Sequence, residues 1–176
     1  MSSTKFFNRL YRYLKDNFIL PEFQSGFFPL HWTLSTLIQM CDKRFDYMDN
    51  GKLTRVVCLD ILKAFDSIDQ SILDKVEYYR VSGRELMWFK SYLSARQQQC
   101  FVNEHLSSQI NLLCGVPQGS LLGLLLFLIY INDLPNCLEF TTSRLHADHS
   151  QIFGSSTDST VLVNNINSAL ENLCDC

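Results

Sequence analysis

At 176 residues, the chain is long enough to form one domain with a substantial buried core. Its hydrophobic fraction of 47% and charged fraction of 19% fit a globular protein. The net charge of −3 and pI of about 5.7 count against tight, independent binding to nucleic acid, because free-standing nucleic-acid binders are usually basic. A mean hydropathy of 0.00 is somewhat apolar, which indicates either a surface that contacts a partner or a piece of a larger protein.

Cysteine usage bears on the redox compartment. The seven cysteines are scattered and form no CxxC pair, and the first residues of the chain lack the apolar stretch of a signal peptide. We therefore expect reduced thiols in an intracellular protein of the cytoplasm or nucleus, not a secreted one.

The first third of the chain predicts two helices and a strand. Apolar residues at helical spacing indicate helices over residues 5–18 and 33–47, with a loop over residues 23–29. Asn50-Gly51 indicates a tight turn before a strand over residues 53–59. Because the end of this strand is nearly all apolar, we expect a central strand covered on both faces.

The rest of the pattern continues to alternate between helices and hairpins. It predicts helices over residues 71–79 and 84–93, strands over 99–103 and 109–113 joined by a turn, an apolar helix over 121–131, a hairpin over 143–153 and a helix over 158–173. The apolar helix is too short to span a bilayer, which needs roughly 20 apolar residues. The order of elements predicts an α+β fold, with an antiparallel sheet backed by helices.

Six collinear motifs carry a resemblance. They are LPEFQSGF at residues 20–27, LDILKAFDSID at 59–69, WFKSYLSARQ at 88–97, CGVPQGSLLG at 114–123, FLIYINDLP at 127–135, and Ala147-Asp148. In this order they resemble the fingers–palm portion of a reverse transcriptase of the kind encoded by non-LTR retrotransposons. The resemblance implies a single partial domain over residues 1–176, fingers-like to about residue 55 and palm-like from 56, with the thumb absent.

The resemblance also implies an activity, RNA-directed DNA synthesis. A primer 3′-hydroxyl attacks the α-phosphate of a deoxynucleoside triphosphate on an RNA template, and two Mg²⁺ ions, or Mn²⁺, stabilise the attacking and leaving oxygens. Asp60 and Asp148 would be the catalytic metal ligands, since Mg²⁺ prefers carboxylate oxygens. They lie 148 − 60 = 88 residues apart, so only the fold can bring them together.

Other positions would contact substrate. Phe65 corresponds to the aromatic residue beneath the sugar of the incoming nucleotide, and it also fits an ordinary core position. The loop that positions the template–nucleotide pair corresponds to Gly115, Pro117, Gln118 and Gly119, where glycine permits close approach of backbone to substrate.

Further polar residues near these motifs have more than one interpretation. Asp66 is expected to form structural hydrogen bonds and Asp69 to cap a helix, so neither is expected to bind metal. Lys63, Lys90 and Arg96 either contact backbone phosphates or are solvated surface charges.

The chain departs from the family pattern at the second acidic motif. The family has an aromatic residue, an Ala and two adjacent Asp residues, where this chain has His146-Ala147-Asp148-His149. An imidazole at position 149 is a poor Mg²⁺ ligand. His146 and His149 could instead indicate a transition-metal site, but a hairpin without Cys or Glu support does not favour it.

Two further departures concern phosphate binding and length. Phe28 replaces an arginine that helps to hold the triphosphate in the family. The chain also stops before the segments that follow the palm in the family. We therefore expect a truncated, partly degenerate reverse transcriptase that is inactive, or nearly so, alone. The alternatives are a non-catalytic nucleic-acid- or protein-binding remnant and the translation of a decaying element.

Overall fold

A computed structural model of the chain describes residues 3–20, 24–26 and 33–174. Its elements, in chain order, are α1 (Ser3–Asp16), α2 (Thr33–Asp49), β1 (Leu53–Asp60), α3 (Ile72–Tyr78), α4 (Arg84–Leu93), β2 (Gln97–Gln98), β3 (Phe101–Val102), β4 (His105–Leu106), β5 (Ile110–Asn111), α5 (Leu121–Tyr130), a 3₁₀ helix (Leu134–Cys137), β6 (Thr142–His146), β7 (His149–Ser156) and α6 (Ser159–Cys174). The combination of helices with antiparallel strands confirms the α+β prediction at that level.

The chain divides into two compact units, and each unit is built from two separate segments. The helical unit comprises Met1–Ile19 and Leu62–Tyr130, and the sheet unit comprises Leu20–Ile61 and Ile131–Cys176. Within the described ranges, no helix is both long enough and apolar enough to cross a membrane.

The sheet unit contains a three-stranded antiparallel sheet in the order β1-β7-β6. Strand β1 therefore lies at an edge of this sheet, and the prediction that it is central is wrong. Helices α2 and α6 both contact β1, yet none of its residues is fully buried, so the predicted coverage of both faces is incomplete. The neighbours of a strand in its sheet depend on pairing with a distant segment, which an apolar run does not indicate.

Helix α6 packs on one face of this sheet. Ile152, Leu162 and Ile166 form its buried cluster, against which Val57 and Leu59 of β1 also pack. Helix α6 begins after Asp158, whose Oδ1 accepts hydrogen bonds from the backbone N–H groups of residues 160 and 161 at 2.7 and 3.2 Å. Such a carboxylate cap satisfies N–H groups that have no partner within the helix.

The core of the helical unit surrounds α5, which is apolar on all sides. Helices α1 and α3 pack against α5, and α4 packs against α3. The buried positions of α1 include Phe6, Leu10 and Leu14, which confirms the amphipathic helix predicted from their spacing. A helix that is hydrophobic all round needs such neighbours on every side.

The short strands of the helical unit differ from the prediction. A single hairpin joining residues 99–103 to 109–113 is wrong, because β2 pairs with β5 and β3 pairs with β4. The turn between β3 and β4 is Asn103-Glu104, with φ values of 50° and 65°. A two-residue turn with two positive φ angles usually carries Asn-Gly, so this sequence gave no clear turn signal.

The cysteines follow the prediction only in part. Among the described residues, Cys41, Cys58, Cys100, Cys114 and Cys174 are free and exposed. Cys137 is disulfide-bonded, so the expectation of reduced thiols is wrong at that position.

The end of α3 gives a first prediction. Arg80 follows the end of this helix and has a φ of 61°. Two hydrogen bonds complete a Schellman motif: the Val81 N–H donates to the Val76 carbonyl at 3.2 Å, and the Arg80 N–H donates to the Glu77 carbonyl at 2.8 Å. Because glycine adopts this conformation without steric cost, we expect Arg80→Gly to raise the free energy of unfolding by about 0.5–1 kcal/mol in urea denaturation.

The matched control places the same substitution inside a helix. Arg12→Gly, at an exposed position of α1, should lower the free energy of unfolding by about 1 kcal/mol. Equal effects of both substitutions would contradict the assignment of strain to Arg80.

Candidate functional site

One row of side chains crosses the end of the three-stranded sheet. His146 of β6 pairs with His149 of β7, and His149 in turn pairs with Asp60 of β1. Residues directly opposite each other in antiparallel strands project to the same face of the sheet. The register therefore places an imidazole beside the carboxylate at the end of β1.

The turn between β6 and β7 adds a second carboxylate. Ala147 and Asp148 form the two-residue turn, and Ala147 has the positive φ, 56°, that primed turns need at their first central residue. The Ile61 N–H donates to the Asp148 carbonyl at 3.2 Å, which ties the turn to the residue after Asp60. Asp60 and Asp148 therefore lie close together although they are distant in sequence.

Asp60, Asp148 and His149 form a group that could hold a metal ion. Each offers one ligand atom, and these atoms lie within 4.8 Å of one another. The Nδ1 atom of His149 lies 3.5 Å from Oδ1 of Asp60, and the two side chains are 69% and 71% exposed. An ion from solution can reach this cluster, which we call the Asp–Asp–His cluster.

The donors of this cluster fit two Mg²⁺ ions poorly. Mg²⁺ requires oxygen ligands in near-ideal octahedral geometry, and one of the three donors here is an imidazole nitrogen. Imidazole suits Zn²⁺ and other transition metals instead. The sequence indicated His149 as the loss of a carboxylate or, with His146, as a disfavoured transition-metal site. Its place beside Asp60 could not be predicted, because it depends on the register of β1 with β7.

A short segment, residues 24–26, supports the turn that carries Asp148. Gln24 is 2% exposed, and its Oε1 accepts hydrogen bonds from the Gly26 N–H at 2.7 Å and the Ala147 N–H at 3.3 Å. The Ser25 N–H donates to the Leu145 carbonyl at 2.8 Å. The sequence predicted only a loop here, so this structural role was missed.

Gly26 allows an unusually close approach between two backbone segments. A Cβ atom added there would lie 1.9 Å from the Ala147 nitrogen and 2.6 Å from its Cα. Only glycine fits at this distance, because real Cβ atoms do not come within 3.0 Å of other heavy atoms. The backbone of the turn is therefore held from outside the hairpin as well as by its own strands.

In the helical unit, the loop with the predicted substrate contacts folds against residues 65–68. The Gly115 N–H donates to the Ile68 carbonyl at 2.6 Å, and the Val116 N–H donates to the Phe65 carbonyl at 2.8 Å. Gly115 has a φ of 84°, and a Cβ there would lie 3.0 Å from the Cα of Asp66. This contact requires glycine for both its conformation and its lack of a side chain.

The side chains of this loop differ in their surroundings. Gln118 Nε2 donates to Asp66 Oδ1 at 3.3 Å, in agreement with the hydrogen-bonding role expected for Asp66. Pro117 is half-buried, and Gly119 has a φ of 75°. Among the residues that the structure describes, no atom lies within 4 Å of a Cβ added at Gly119. Gln118 and Gly119 are exposed and accessible to a ligand.

Arg96 and Tyr92 hold the same loop from the other side. Arg96 Nη2 donates to the Cys114 carbonyl at 2.9 Å and to the Gly115 carbonyl. The Tyr92 hydroxyl lies 2.7 Å from Ser120 Oγ, within hydrogen-bonding distance. Arg96 is therefore a positioning residue for the loop. Sequence reasoning missed this role because carbonyl partners leave no pattern in the side chains.

The remaining predicted residues have mixed outcomes. Phe65 is half-buried, with its ring centroid 5.2 Å from that of Phe127, so its position fits both the core and the nucleotide-contact interpretations. Asp69 Oδ1 accepts a hydrogen bond from the Ser71 N–H at 2.8 Å, but Ser71 is the N-cap residue of α3, so the prediction that Asp69 caps this helix is wrong. Lys63 and Lys90 are exposed, and Phe28 lies outside the described residues.

Comparisons with known proteins agree on one family. The family described as reverse transcriptase (RNA-dependent DNA polymerase) matches residues 2–174. Two similar Drosophila melanogaster proteins are the "Probable RNA-directed DNA polymerase from transposon X-element", 32% identical over 117 residues, and the "Probable RNA-directed DNA polymerase from transposon BS", 31% identical over 135 residues. A third, the "RNA-directed DNA polymerase from mobile element jockey", is 32% identical over 118 residues.

These alignments cover most of this chain and a small part of each relative. They span 66%, 73% and 66% of the chain, and 13%, 14% and 13% of the three relatives. Because the family match extends over nearly every residue, the chain belongs to the reverse transcriptase (RNA-dependent DNA polymerase) family.

Proposed function

We propose that this chain is the nucleotidyl-transfer region of an RNA-directed DNA polymerase of non-LTR retrotransposon origin, and that this copy has little or no activity with Mg²⁺. Its substrates would be an RNA template, a DNA primer and deoxynucleoside triphosphates. The reaction would join the primer 3′-oxygen to the α-phosphorus and release pyrophosphate. Family membership supports the reaction, and the cluster at the end of the sheet supports the reduced activity.

Within this proposal, the antiparallel sheet that carries Asp60 and Asp148 would be the palm. Both carboxylates would hold divalent ions, which in this family's reaction stabilise the attacking and leaving oxygens. Phe65 would contact the sugar of the incoming nucleotide, and the loop from Gly115 to Gly119 would contact the template–nucleotide pair. Arg96 would keep the loop in place through the carbonyls that it binds.

The observation that carries the reduced activity is the position of His149. Its ring lies within the group of side chains that would bind metal, 3.5 Å from Asp60, where the family has a third carboxylate. The cluster thus has two carboxylates to neutralise two divalent ions, and its third donor is a nitrogen. The change of Phe28 from the family's arginine removes a further cation that would bind the triphosphate.

A primer-extension assay tests the activity. The purified chain, an RNA template, an annealed DNA primer and deoxynucleotides with Mg²⁺ should give extension within about twofold of Asp60→Ala, because the wild-type cluster already lacks an oxygen donor. His149→Asp, which restores that donor, should exceed the wild type by at least about tenfold. Circular dichroism of each variant checks that it is folded.

The outcomes separate the two parts of the proposal. Extension by the wild type that disappears in Asp60→Ala would show that two carboxylates suffice, and the reduced activity would then be wrong. Equal background extension by all three proteins would favour a non-catalytic role.

A second candidate function, nucleic-acid binding without catalysis, is favoured by the distribution of charge. The helical unit has 10 Lys and Arg against 7 Asp and Glu, a net +3, and the sheet unit has 5 against 11, a net −6. Lys5, Arg9 and Arg12 lie on one exposed face of α1 at helical spacing. This candidate requires RNA binding that Asp60→Ala leaves intact and that glutamate substitutions at these three positions abolish.

A further inference from the structure

We propose that Asp60, Asp148 and His149 bind one Zn²⁺ ion in preference to Mg²⁺. This inference concerns the same cluster as the proposed function, but it is independent of polymerase activity. It replaces a site for two oxygen-bound ions with a site for one ion that has mixed oxygen and nitrogen ligands.

The spacing of the ligand atoms fits a single ion. Two ligands at about 2.0–2.2 Å from a tetrahedral Zn²⁺ lie roughly 3.4 Å apart. His149 Nδ1 and Asp60 Oδ1 are separated by 3.5 Å, which matches this value closely. The Asp148 carboxylate completes the set, in which one ligand atom from each of the three residues lies within 4.8 Å of the other two.

The chemistry of the donors favours zinc over magnesium. Zn²⁺ commonly takes His nitrogen and Asp oxygen together, and sites with three protein ligands keep the fourth position for water. Two ionised carboxylates with a neutral imidazole carry a charge of −2, which one divalent ion balances. Mg²⁺ gains little from an imidazole and gives up its bound waters reluctantly.

The backbone positions all three ligand residues in the absence of an ion. The register of β1 with β7 fixes Asp60 opposite His149, and the bond between the Ile61 N–H and the Asp148 carbonyl fixes the turn against β1. Gln24 supports the same turn through the Ala147 N–H. The His149 and Asp60 side chains are largely exposed and Asp148 is half-buried, which leaves room for the ion to keep water ligands.

Isothermal titration calorimetry with ZnCl₂ and, separately, MgCl₂ tests this inference without nucleic acid or nucleotide. All titrations use a background protein with Cys58→Ser, because Cys58 lies on β1 two residues before Asp60 and its thiol could bind Zn²⁺. The other free thiols are alkylated so that they cannot bind Zn²⁺ either. We expect one Zn²⁺ per chain and binding of Mg²⁺ at least about tenfold weaker.

Three variants on this background assign the site. His149→Gln and, independently, Asp60→Asn should each weaken Zn²⁺ binding by at least about tenfold. His105→Gln, at an exposed histidine of β4, is the matched control and should bind Zn²⁺ as the background protein does. His149→Asp should lose the preference for Zn²⁺ and bind Mg²⁺ more tightly, since it restores an all-oxygen set.

The inference is overturned if Zn²⁺ binds His149→Gln and Asp60→Asn as tightly as the background, or if Mg²⁺ binds the background as tightly as Zn²⁺. His149 and Asp60 are exposed, so neither substitution opens the core, and far-ultraviolet circular dichroism confirms folding. A negative primer-extension result does not bear on this titration, so the two proposals fail separately.

Discussion

Gly26→Ala is expected to lower the free energy of unfolding by at least about 3 kcal/mol, or to prevent the sheet unit from folding. The added methyl group would lie 1.9 Å from the Ala147 nitrogen and 2.9 Å from the His146 carbonyl carbon. These are backbone atoms, so no change of side-chain rotamer can relieve the overlap. The hairpin that carries Asp148 must then move away from residues 24–26, which breaks the hydrogen bond from the Ala147 N–H to Gln24 Oε1.

Gly51→Ala is the matched control in the same unit. Gly51 has a φ of 66°, and no atom in the described part of the chain lies within 4 Å of an added Cβ. Alanine there should therefore cost only the conformational strain, about 1 kcal/mol. Urea denaturation followed by circular dichroism measures both variants. Similar losses in the free energy of unfolding for the two substitutions would contradict this prediction. They would show that the Ala147-Asp148 turn can move at little cost and that residues 24–26 do not hold it in place.

Phe127→Ala should have a comparable effect in the helical unit, a loss of about 3–5 kcal/mol. Phe127 is fully buried in α5, and its ring contacts that of Phe65 with the centroids 5.2 Å apart. Removal of the ring leaves a cavity between helices and deprives Phe65 of an aromatic neighbour. The same urea titration reports the change in the free energy of unfolding.

Phe101→Ala provides the comparison, because Phe101 belongs to the same unit and is 71% exposed. Its substitution should change the free energy of unfolding by less than about 0.5 kcal/mol. If Phe127→Ala proves as mild as Phe101→Ala, then α5 is not the centre of a tightly packed core.

Hydrophobic spacing predicted the helices well, for a physical reason. Helices α1, α4 and α6 each repeat apolar residues on one side over at least two turns, and α4 agrees with its predicted bounds at both ends. Helix α2 was predicted as a helix, but its apolar face is exposed, and Thr36 and Met40 are buried instead. The pairing of the strands was predicted less well, because a short apolar run does not indicate which other strand it pairs with. Strand β1 was recognised as a strand, but its edge position depends on pairing with β7 at the far end of the chain.

Only those residues of the candidate site that belong to recognisable motifs could be predicted from the sequence. Asp60, Asp148 and the loop from Gly115 to Gly119 came from the resemblance, and their roles stay predictions. The cluster with His149 required the register of β1 with β7. Gln24 and Arg96 act through backbone groups of distant residues, and such contacts leave no periodic signal in the sequence.

The interleaved segments of the two units set the order in which the site can form during synthesis. The pairing of Asp60 with His149 cannot form until His149 has been synthesised, 149 − 60 = 89 residues later. Most of the helical unit is synthesised between these two residues. Pairings of such long sequence separation form slowly. Until β7 is made, the apolar strand β1 lacks its hydrogen-bonding partner. During that time, its backbone N–H and C=O groups are free to pair with other strands.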